Sequence, residues 1–381
     1  MSLTPEELRR YGRHMVMPEV GREGQERLKE ASVLLVGAGG LGSPAALYLA
    51  AAGVGCLGLV EFDRVEVTNL QRQILYGESD IGRPKLESAS SRLAEINPHV
   101  EIRAIDERFD ASNAIDLVSE FDIVVDGSDN FPTRYLVNDA CVLAGRPNVF
   151  GSVLRFEGQV SVFAAPGGPC YRCLFPEPPP AGSVPSCAEG GVFGVLPGII
   201  GSLQAHEAIK LVLGIGEALV GRFLVFDGLE LQFREVALDK DPECPICSPD
   251  PVQQGLVTYD DVCTPEPEEE TMTEVLPFDV AVDEVQAWRE AGRDFVLLDV
   301  RTVMEFGIAS IDGATLVPLN ELQERLEEFD REAEIVVMCH HGPRSSNAVA
   351  FMRHRGFGRA RNLAGGIDAW SRQVDSAVPR Y

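Results

Sequence analysis

The sequence predicts an α/β protein with two domains: a larger one built on a mostly parallel sheet, and a smaller α/β one. Three observations support this: short apolar runs alternate with helix-like segments, a segment rich in Pro and Glu interrupts them, and the alternation then resumes. A chain of 381 residues is also long enough for two domains. We expect a first domain over residues 1–247, an extended linker over 248–276 and a second domain over 277–381.

The first domain starts its sheet with a strand, a glycine-rich turn and a helix. Residues 33–36 are an apolar run, and an Ala-rich helix to Ala52 follows a turn that contains Gly37, Gly39, Gly40 and Gly42. A second apolar run, 56–60, ends at Glu61 and Asp63. This pattern is typical of a nucleotide-binding βαβ unit in a Rossmann-like sheet, where a phosphate lies on the glycines and the helix N-terminus. NAD is the first ligand that it suggests, so an NAD-dependent oxidoreductase is one hypothesis.

The remaining helices and strands are predicted from apolar periodicity and from the residues that break helices and strands. In the first domain we expect strands at 100–105, 121–125, 148–153, 159–164 and 223–226, and helices at 84–96 and 133–144. The apolar window 194–216 contains Gln204, His206, Glu207 and Lys210, so we expect a buried helix there rather than a membrane span. In the second domain we expect strands at 295–300 and 335–339, and helices at 320–329 and 345–355.

Charged residues beyond the glycine turn argue against NAD. Arg72 and Lys85 can neutralise phosphate oxygens, and Asp129, which follows the strand at 121–125, can hold Mg²⁺. Each residue taken singly is better explained as a solvated surface charge. Together with the glycine turn they favour MgATP.

Two CxxC pairs predict a structural zinc site. Four thiolates, from Cys170, Cys173, Cys244 and Cys247, make a closed tetrahedral site, whereas either pair alone could be a redox pair. Cys187 lies apart from them in a loop rich in Pro and Gly. Most lone cysteines are ordinary small residues, but this setting makes Cys187 a candidate nucleophile.

A second reactive cysteine, Cys339, follows an apolar strand and precedes a helix. The loop consists of Cys339, His340, His341, Gly342, Pro343 and Arg344. Backbone N–H groups and the helix dipole stabilise a thiolate in such a loop. We expect His340, His341, Arg344, Arg353 and Arg355 to add positive charge nearby. A phosphatase could use a similar loop.

Composition restricts the partners. A net charge of −26 disfavours direct binding to nucleic acid or to an anionic membrane. Residues 1–16 have no apolar core like that of a signal peptide, so we expect a cytoplasmic protein whose nine cysteines are ligands or nucleophiles rather than disulfides.

These motifs make the first domain resemble the ubiquitin-activating-type adenylyltransferases, in particular the molybdopterin-synthase and thiamine types. The matching parts are the glycine turn, Asn69, Leu70, Gln71, Arg72 and Gln73, then Lys85, Asp129 and Asn130, both CxxC pairs, and residues 201–210. The resemblance implies that MgATP activates the C-terminal Gly-Gly of a small ubiquitin-fold protein as an acyl-adenylate. It also implies that Glu61 or Asp63 binds the ribose, and that Arg13 reaches the phosphates across a homodimer.

The second domain resembles the rhodanese sulfurtransferases. Its loop from Cys339 to Arg344 has the six residues of that family, while the related phosphatases have a loop one residue longer. Residues 298–301, 305–306 and 311–314 also match. The resemblance implies that Cys339 carries a persulfide, supplied by a donor such as a cysteine desulfurase or thiosulfate.

The order of the two domains is that of fused adenylyltransferase–sulfurtransferases. The resemblance then implies adenylation of a sulfur-carrier protein, attack by the Cys339 persulfide, and release of a thiocarboxylate. Cys187 could be a thioester site, the resolving thiol or a loop residue. The carrier could serve the molybdopterin, thiamine, cysteine or tRNA-thiolation pathway. A non-catalytic carrier-binding scaffold is the remaining alternative.

Overall fold

The fold is described from a computed structural model, over residues 2–179, 191–257, 277–331 and 333–381. The chain divides into two compact units, Met1–Glu266 and Pro267–Tyr381. Among the described residues, no helix is both long enough and apolar enough to cross a membrane.

The first unit contains one large sheet flanked by helices. Its strands are β1 (Ser32–Val36), β2 (Cys56–Val60), β3 (Glu101–Ile105), β4 (Ile123–Asp126), β5 (Asn148–Leu154), β6 (Glu157–Phe163), β7 (Arg222–Asp227) and β8 (Gln232–Ala237). Its helices are α1 (Pro5–Arg10), α2 (Gly12–Met15), α3 (Gly21–Glu30), α4 (Gly42–Ala52), α5 (Lys85–Ile96), α6 (Ala114–Ser119), α7 (Phe131–Ala144), α8 (Tyr171–Leu174) and α9 (Val195–Leu213), with short 3₁₀ turns at Val67–Asn69 and Glu78–Asp80.

The strand order of this sheet is β3-β2-β1-β4-β5-β6-β7-β8. The pairs from β3 to β5 are parallel, and β6, β7 and β8 are added antiparallel. This confirms the predicted mostly parallel α/β sheet. The chain runs outward from β1 through β2 to β3 and then returns to β4 on the other side of β1. A sheet of this kind binds ligands at that reversal, beyond the carboxyl ends of the strands.

The helix predicted at 194–216 is observed as α9, which packs across the glycine turn. A Cβ at Gly201 would lie 2.3 Å from the Leu41 carbonyl oxygen, and one at Gly40 would lie 3.2 Å from Pro197 Cβ. Glycine at these positions therefore lets α9 approach the backbone closely, so one long apolar helix holds the start of α4 in place.

The second unit has a smaller, wholly parallel sheet with the order β11-β10-β12-β13-β9. Its strands are β9 (Asp279–Val280), β10 (Val296–Asp299), β11 (Thr315–Leu316), β12 (Ile335–Met338) and β13 (Ala360–Leu363). Its helices are α10 (Val282–Glu290), α11 (Val303–Ile308), α12 (Leu322–Arg325), α13 (Pro343–His354) and α14 (Gly366–Gln373), with a 3₁₀ turn at Leu326–Glu328. All four residues of the central strand β12 are buried, as its apolar run predicted.

One predicted element differs. The single helix expected over 320–329 is instead the short α12 followed by a 3₁₀ turn. The Phe329 N–H donates to the Leu326 carbonyl, three residues earlier rather than four, at 3.2 Å. Leu322 and Leu326 are both buried in the core, so the apolar spacing was interpreted correctly although the helix is not continuous.

Candidate functional site

The glycine turn of the first unit is a tight bend that excludes side chains. Gly37 has a φ of +91°, which favours glycine, and a Cβ at Gly42 would lie 2.0 Å from the Gly37 carbonyl oxygen. A Cβ at Gly127, which follows β4, would lie 2.8 Å from the same oxygen. The ends of β1 and β4 thus meet at the start of α4, where a helix N-terminus attracts anions.

Side chains hold both polar backbone groups of Ala38 in this turn. The Ala38 N–H donates to Glu61 Oε2 at 3.1 Å, and its carbonyl accepts from the Tyr76 hydroxyl at 2.9 Å and Ser43 Oγ at 3.2 Å. Glu61 Oε1 also accepts from the N–H groups of Phe62 and Asp63, both at 3.0 Å. Glu61 therefore orients the turn, and lone pairs on its oxygens stay available to a ligand.

The segment from Asn69 to Gln73 lies directly against the turn. Arg72 Cδ is 3.6 Å from the position of a Cβ on Gly40, and the guanidinium donates to the Thr68 carbonyl at 3.1 Å. A Cβ on Gly39 would lie 3.6 Å from Gln73 Nε2. Gln73 is buried, and its Oε1 has no partner among the described residues. The sequence marked Gln73 as part of the matching segment 69–73 but gave it no role of its own.

Leu70 and Gln71 lie on the side of this segment that meets the start of α9. A Cβ on Gly194 would lie 2.3 Å from the Gln71 carbonyl oxygen, and Leu70 packs on the main apolar core. The Asn69 side chain accepts from the Glu66 N–H at 3.1 Å. These contacts position Arg72 beside the turn.

Lys85 and Asp63 form an ion pair next to Glu61. Lys85 Nζ donates to Asp63 Oδ2 at 3.0 Å, and the Lys85 N–H donates to the Asp63 carbonyl at 2.9 Å. The Lys85 side chain is 7% exposed and the Asp63 side chain 54%. A buried ammonium is thus held by a carboxylate that faces solvent, with one partner on a loop and the other at the start of α5.

Asp129 and Asn130 lie past the end of β4, across the turn from Glu61. Asp129 is exposed, while the Asn130 side chain caps α7 by accepting from the Thr133 N–H at 2.9 Å. Asp126, not singled out from the sequence, is fully buried and accepts from the Ser128 N–H at 2.9 Å. Burial raises the pKa of Asp126, and Arg134 and Ser128 partly oppose that rise.

Within the same chain, Arg13 lies away from the residues around the glycine turn. Its helix α2 packs at the far end of α4: Tyr11 contacts the position of a Cβ on Gly53, and His14 Nδ1 is 3.1 Å from Gln25 Oε1, whose amide donates to the Ala52 carbonyl at 2.8 Å. The 11 residues of α4 separate this end from the glycine turn by about 16 Å. Arg13 is exposed.

A cleft of about 600 Å³ opens beside the start of α7. Its lining combines aromatic and arginine side chains with three carboxylates: Phe131, Arg134, Tyr135, Arg155, Tyr171 and Phe175, and Glu157, Glu177 and Asp227. Ser152 and Leu154, near the carboxyl end of β5, also line it. Because β5 is parallel to β4, the cleft opens at the same edge of the sheet as Asp129.

The four predicted zinc ligands converge. Cys170 and Cys244 have their sulfur atoms 3.5 Å apart, Cys173 and Cys247 3.4 Å, and Cys170 and Cys173 4.0 Å. A zinc tetrahedron with Zn–S bonds of 2.3 Å has edges of about 3.8 Å, so the cluster fits the metal. All four thiols are free of disulfides.

Arg172, between the first two ligands, connects the cluster to α7. Its guanidinium donates from Nε and Nη2 to the two oxygens of Asp139, both at 2.8 Å, and both side chains are buried. The cluster is therefore connected to the helix whose N-cap is Asn130.

In the second unit, the loop after β12 surrounds the Cys339 sulfur with donors. Sγ accepts from the Gly342 N–H at 3.1 Å, and Ser345 Oγ lies 3.3 Å from it. Ser345 Oγ is also 3.0 Å from the Gly342 carbonyl, so its single proton serves one of these acceptors at a time. Cys339 is 1% exposed.

Arg344, one of the cations expected near Cys339, is paired with an acid. It donates to Glu305 Oε2 at 2.8 Å and Oε1 at 2.6 Å. Burial would raise the pKa of Glu305, but the hydrogen bonds from Arg344 and Thr302 outweigh burial and hold it at about 2. Arg353 Nε donates to the Ala360 carbonyl at 2.8 Å, and Arg355 lies over the Phe351 ring.

The two histidines of the loop are stacked on each other, with ring centroids 4.0 Å apart. Burial lowers the pKa of His340, and His341 lowers it further, which favours the neutral ring. Arg301 and Glu305, which lie in segments that match the rhodanese pattern, contribute to this site without having been given a role from the sequence. Tyr381 also contributes, and its separation from Cys339 along the chain left it without any sequence signal. Cys187 lies outside the described residues.

Comparison with known proteins gives two family matches: the ThiF family over residues 11–246, and the rhodanese-like domain over residues 281–373. The probable adenylyltransferase/sulfurtransferase MoeZ of Mycobacterium tuberculosis is 45% identical over 386 residues, covering 100% of this chain and 97% of that protein. The sulfur carrier protein adenylyltransferase of Thermus thermophilus is 56% identical over 268 residues, covering 69% of this chain and 99% of that protein.

Adenylyltransferase and sulfurtransferase MOCS3-2 of Zea mays is 42% identical over 396 residues, covering 100% of this chain and 82% of that protein. Among solved structures, E. coli MccB with MccA-N7isoASN matches with a TM-score of 0.57 at 24% identity, over 63% of this chain and 74% of that one. That likeness concerns the fold alone. The relatives confirm the predicted resemblance and give no support to an NAD-dependent oxidoreductase or a non-catalytic scaffold.

Proposed function

Because this chain belongs to the ThiF family and carries a rhodanese-like domain, we propose that it adenylates the C-terminal glycine of a small ubiquitin-fold sulfur-carrier protein and then transfers sulfur to it. The observation that carries the proposal is that one chain contains both a glycine turn with Arg72 and Lys85 beside it and a cysteine loop of six residues. We assign the first activity to residues 1–247 and the second to 277–381, joined by the linker 248–276.

In the first activity, ATP lies with its phosphates on Gly37 to Gly42 and the start of α4. Arg72 and Lys85 neutralise the phosphates, and Asp129 holds Mg²⁺, which stabilises the charge that develops as pyrophosphate leaves. The rest of the ATP site is lined by Asn69, Leu70, Gln71 and Asn130. Glu61 accepts from the ribose hydroxyls, since its oxygens already face the turn, while Asp63 holds Lys85.

The site is completed by a second copy of the chain. Arg13 lies on α2, which packs at the end of α4 opposite the glycine turn, and α4 is about 16 Å long. We therefore assign its phosphate contact to another subunit. A homodimer that places Arg13 on the neighbouring subunit's ATP accounts for an exposed arginine on so short a helix.

The carrier's tail enters the cleft beside α7. That cleft opens at the same sheet edge as Asp129. Within its mixed lining, Phe131 and Tyr135 offer apolar contacts to an extended peptide, and Arg134 and Arg155 offer cations to its carboxylate. The carboxylate attacks the α-phosphorus of ATP, a P–O bond to pyrophosphate breaks, and an acyl-adenylate forms.

In the second activity, Cys339 carries a persulfide delivered by a donor such as a cysteine desulfurase or thiosulfate. Its terminal sulfur attacks the acyl carbon, the C–O bond to AMP breaks, and an acyl disulfide joins the carrier to Cys339. A second thiolate, which we assign to Cys187, then attacks Cys339 Sγ. The carrier leaves as a thiocarboxylate, and an external dithiol reduces the resulting Cys187–Cys339 disulfide.

The four clustered cysteines hold a structural Zn²⁺, since four thiolates leave no coordination position open for chemistry. Thiolates that bind zinc or carry a persulfide need a reducing compartment, which favours the cytoplasm. The identity of the carrier determines whether the pathway makes molybdopterin, thiamine, cysteine or thiolated tRNA.

Exchange of labelled pyrophosphate into ATP tests the adenylation step. We expect exchange only when a carrier ending in Gly-Gly is present, and a loss of about 100-fold or more in Arg72→Ala or Asp129→Ala. Cys339→Ala should exchange normally yet produce no thiocarboxylate, which separates the two activities. Carrier-independent exchange, or a fully active Cys339→Ala, contradicts the proposal.

A further inference from the structure

Tyr381 stacks directly on the loop that holds Cys339. Its ring centroid is 4.3 Å from that of His340, with an angle of 14° between the planes. His341 lies on the other face of His340, with centroids 4.0 Å apart and an angle of 17°. His340, the residue after the nucleophile, is thus held between two rings.

The Tyr381 hydroxyl connects two ion pairs that flank the loop. It accepts from Arg301 Nη1 at 2.7 Å and lies 3.4 Å from Glu305 Oε1, to which it donates. Arg301 is fully buried and is held by Asp299, while Glu305 is held by Arg344. One side chain therefore contacts His340 by its ring and two separate ion pairs by its oxygen.

The backbone of the same loop is fixed from its other side by the start of α14. The Ile367 N–H donates to the Cys339 carbonyl at 2.9 Å, and the Asp368 N–H donates to the His340 carbonyl at 3.1 Å. A Cβ on Gly366 would lie 2.4 Å from the Cys339 carbonyl oxygen. The backbone of His340 is thus tied to α14, and its ring is tied to Tyr381.

We propose that Tyr381 is a positioning residue of the sulfur site: its ring, stacked on His340, keeps the loop closed so that the Gly342 N–H stays directed at the Cys339 sulfur. The role does not require Tyr381 to touch the sulfur. The expected effect of Tyr381 on catalysis rests on the proposed sulfur-transfer function of Cys339. The contacts of Tyr381 with the loop do not depend on that function.

The test compares Tyr381→Ala with Tyr381→Phe in the full chain. Phe retains the ring on His340 and loses the hydroxyl, whereas Ala loses both. In thiocyanate formation from thiosulfate and cyanide, we expect Tyr381→Ala to lower kcat by about 10- to 100-fold with little change in KM, because misplaced donors slow chemistry more than binding. Tyr381→Phe should stay within about threefold of the parent chain. Tyr48→Ala, on the exposed side of α4, is the control.

Hydrogen exchange of the amides at 339–345 gives a readout that does not depend on sulfur transfer. We expect faster exchange there in Tyr381→Ala than in Tyr381→Phe or the control. Equal kcat in Tyr381→Ala and the parent, or equal impairment in the Phe and Ala variants, overturns the proposal. If the parent chain transfers no sulfur while the exchange difference persists, the proposed function fails and the positioning role of Tyr381 stands.

Discussion

Arg344 donates a hydrogen bond to each carboxylate oxygen of Glu305, at 2.8 and 2.6 Å. The arginine that ends the Cys339 loop is therefore neutralised by an acid from α11. The groups that reach the sulfur directly are neutral donors, the Gly342 N–H and the Ser345 hydroxyl. This distinguishes the loop from one that would bind a strongly anionic group through a free guanidinium.

The Glu305–Arg344 pair gives the second unit a specific pH dependence. The pKa of Glu305 is about 2 in the folded chain, below its ordinary 4.5. Its contribution to the free energy of unfolding is therefore present above about pH 5 and is lost as the pH falls toward 2. We expect Glu305→Gln to remove about 1–3 kcal/mol of stability at neutral pH and to weaken the acid dependence.

Tryptophan fluorescence makes this measurable in the full chain, because both tryptophans, Trp288 and Trp370, are buried in the second unit. Urea unfolding between pH 7 and pH 3 reports the free energy of unfolding of that unit. Glu290→Gln, at an exposed site on α10, is the matched control and should follow the parent chain. An acid dependence in Glu305→Gln equal to that of the parent would argue against the role of the pair.

Gly42 is the position where the glycine turn tolerates substitution least. A Cβ there would lie 2.0 Å from the Gly37 carbonyl oxygen, so Gly42→Ala must displace the turn. We expect ATP affinity, measured by calorimetry, to fall at least about tenfold. Gly198→Ala is the matched control, since a Cβ at Gly198 on α9 meets nothing within 4 Å. Normal ATP binding by Gly42→Ala would show that phosphate does not lie on this turn.

Removing one cysteine should release the metal and destabilise the first unit. We expect Cys244→Ser to lose bound zinc, measured by elemental analysis, and to become more sensitive to proteolysis, because structural zinc contributes several kcal/mol or more to folding. Cys56→Ser, on β2 and outside the cluster, should retain zinc. A zinc content unchanged in Cys244→Ser would mean that the four sulfurs do not share one ion.

Substitutions of Lys85, Asp63 and Glu61 distinguish the loss of a phosphate contact from the loss of a ribose contact. We expect Lys85→Ala to slow pyrophosphate exchange by about 100-fold, as removal of a charge-stabilising donor does in other enzymes. Asp63→Asn should slow exchange by less and change the ATP dissociation constant by under about threefold, whereas Glu61→Gln should weaken ATP binding more. If Asp63→Asn weakened ATP binding more than Glu61→Gln, the ribose contact would belong to Asp63.

The parts of this account that the sequence predicted well depend on local signals. Apolar runs gave β1 and β2 to within a residue, glycines marked the turn, and the spacing of the CxxC pairs marked the cluster. These signals need no knowledge of distant contacts. The same holds for the buried strand β12 and for the loop that follows it.

The parts that the sequence missed depend on contacts between distant residues. Ala38 meets Glu61 across 23 positions, and Glu305 meets Arg344 across 39. The sequence presented Arg344 as a free cation because nothing near it is acidic. Tyr381 likewise carries no local signal, and only folding brings it to His340.

The central claim is tested most directly by the intact mass of the carrier. The full chain, loaded with a persulfide donor, is incubated with MgATP and each candidate carrier ending in Gly-Gly, and the carrier is then weighed. We predict that one carrier gains an adenylate when Cys339 is replaced by Ala, and exchanges one oxygen for sulfur with the parent chain. If none of the candidate carriers gains an adenylate or a sulfur, the proposed function is wrong.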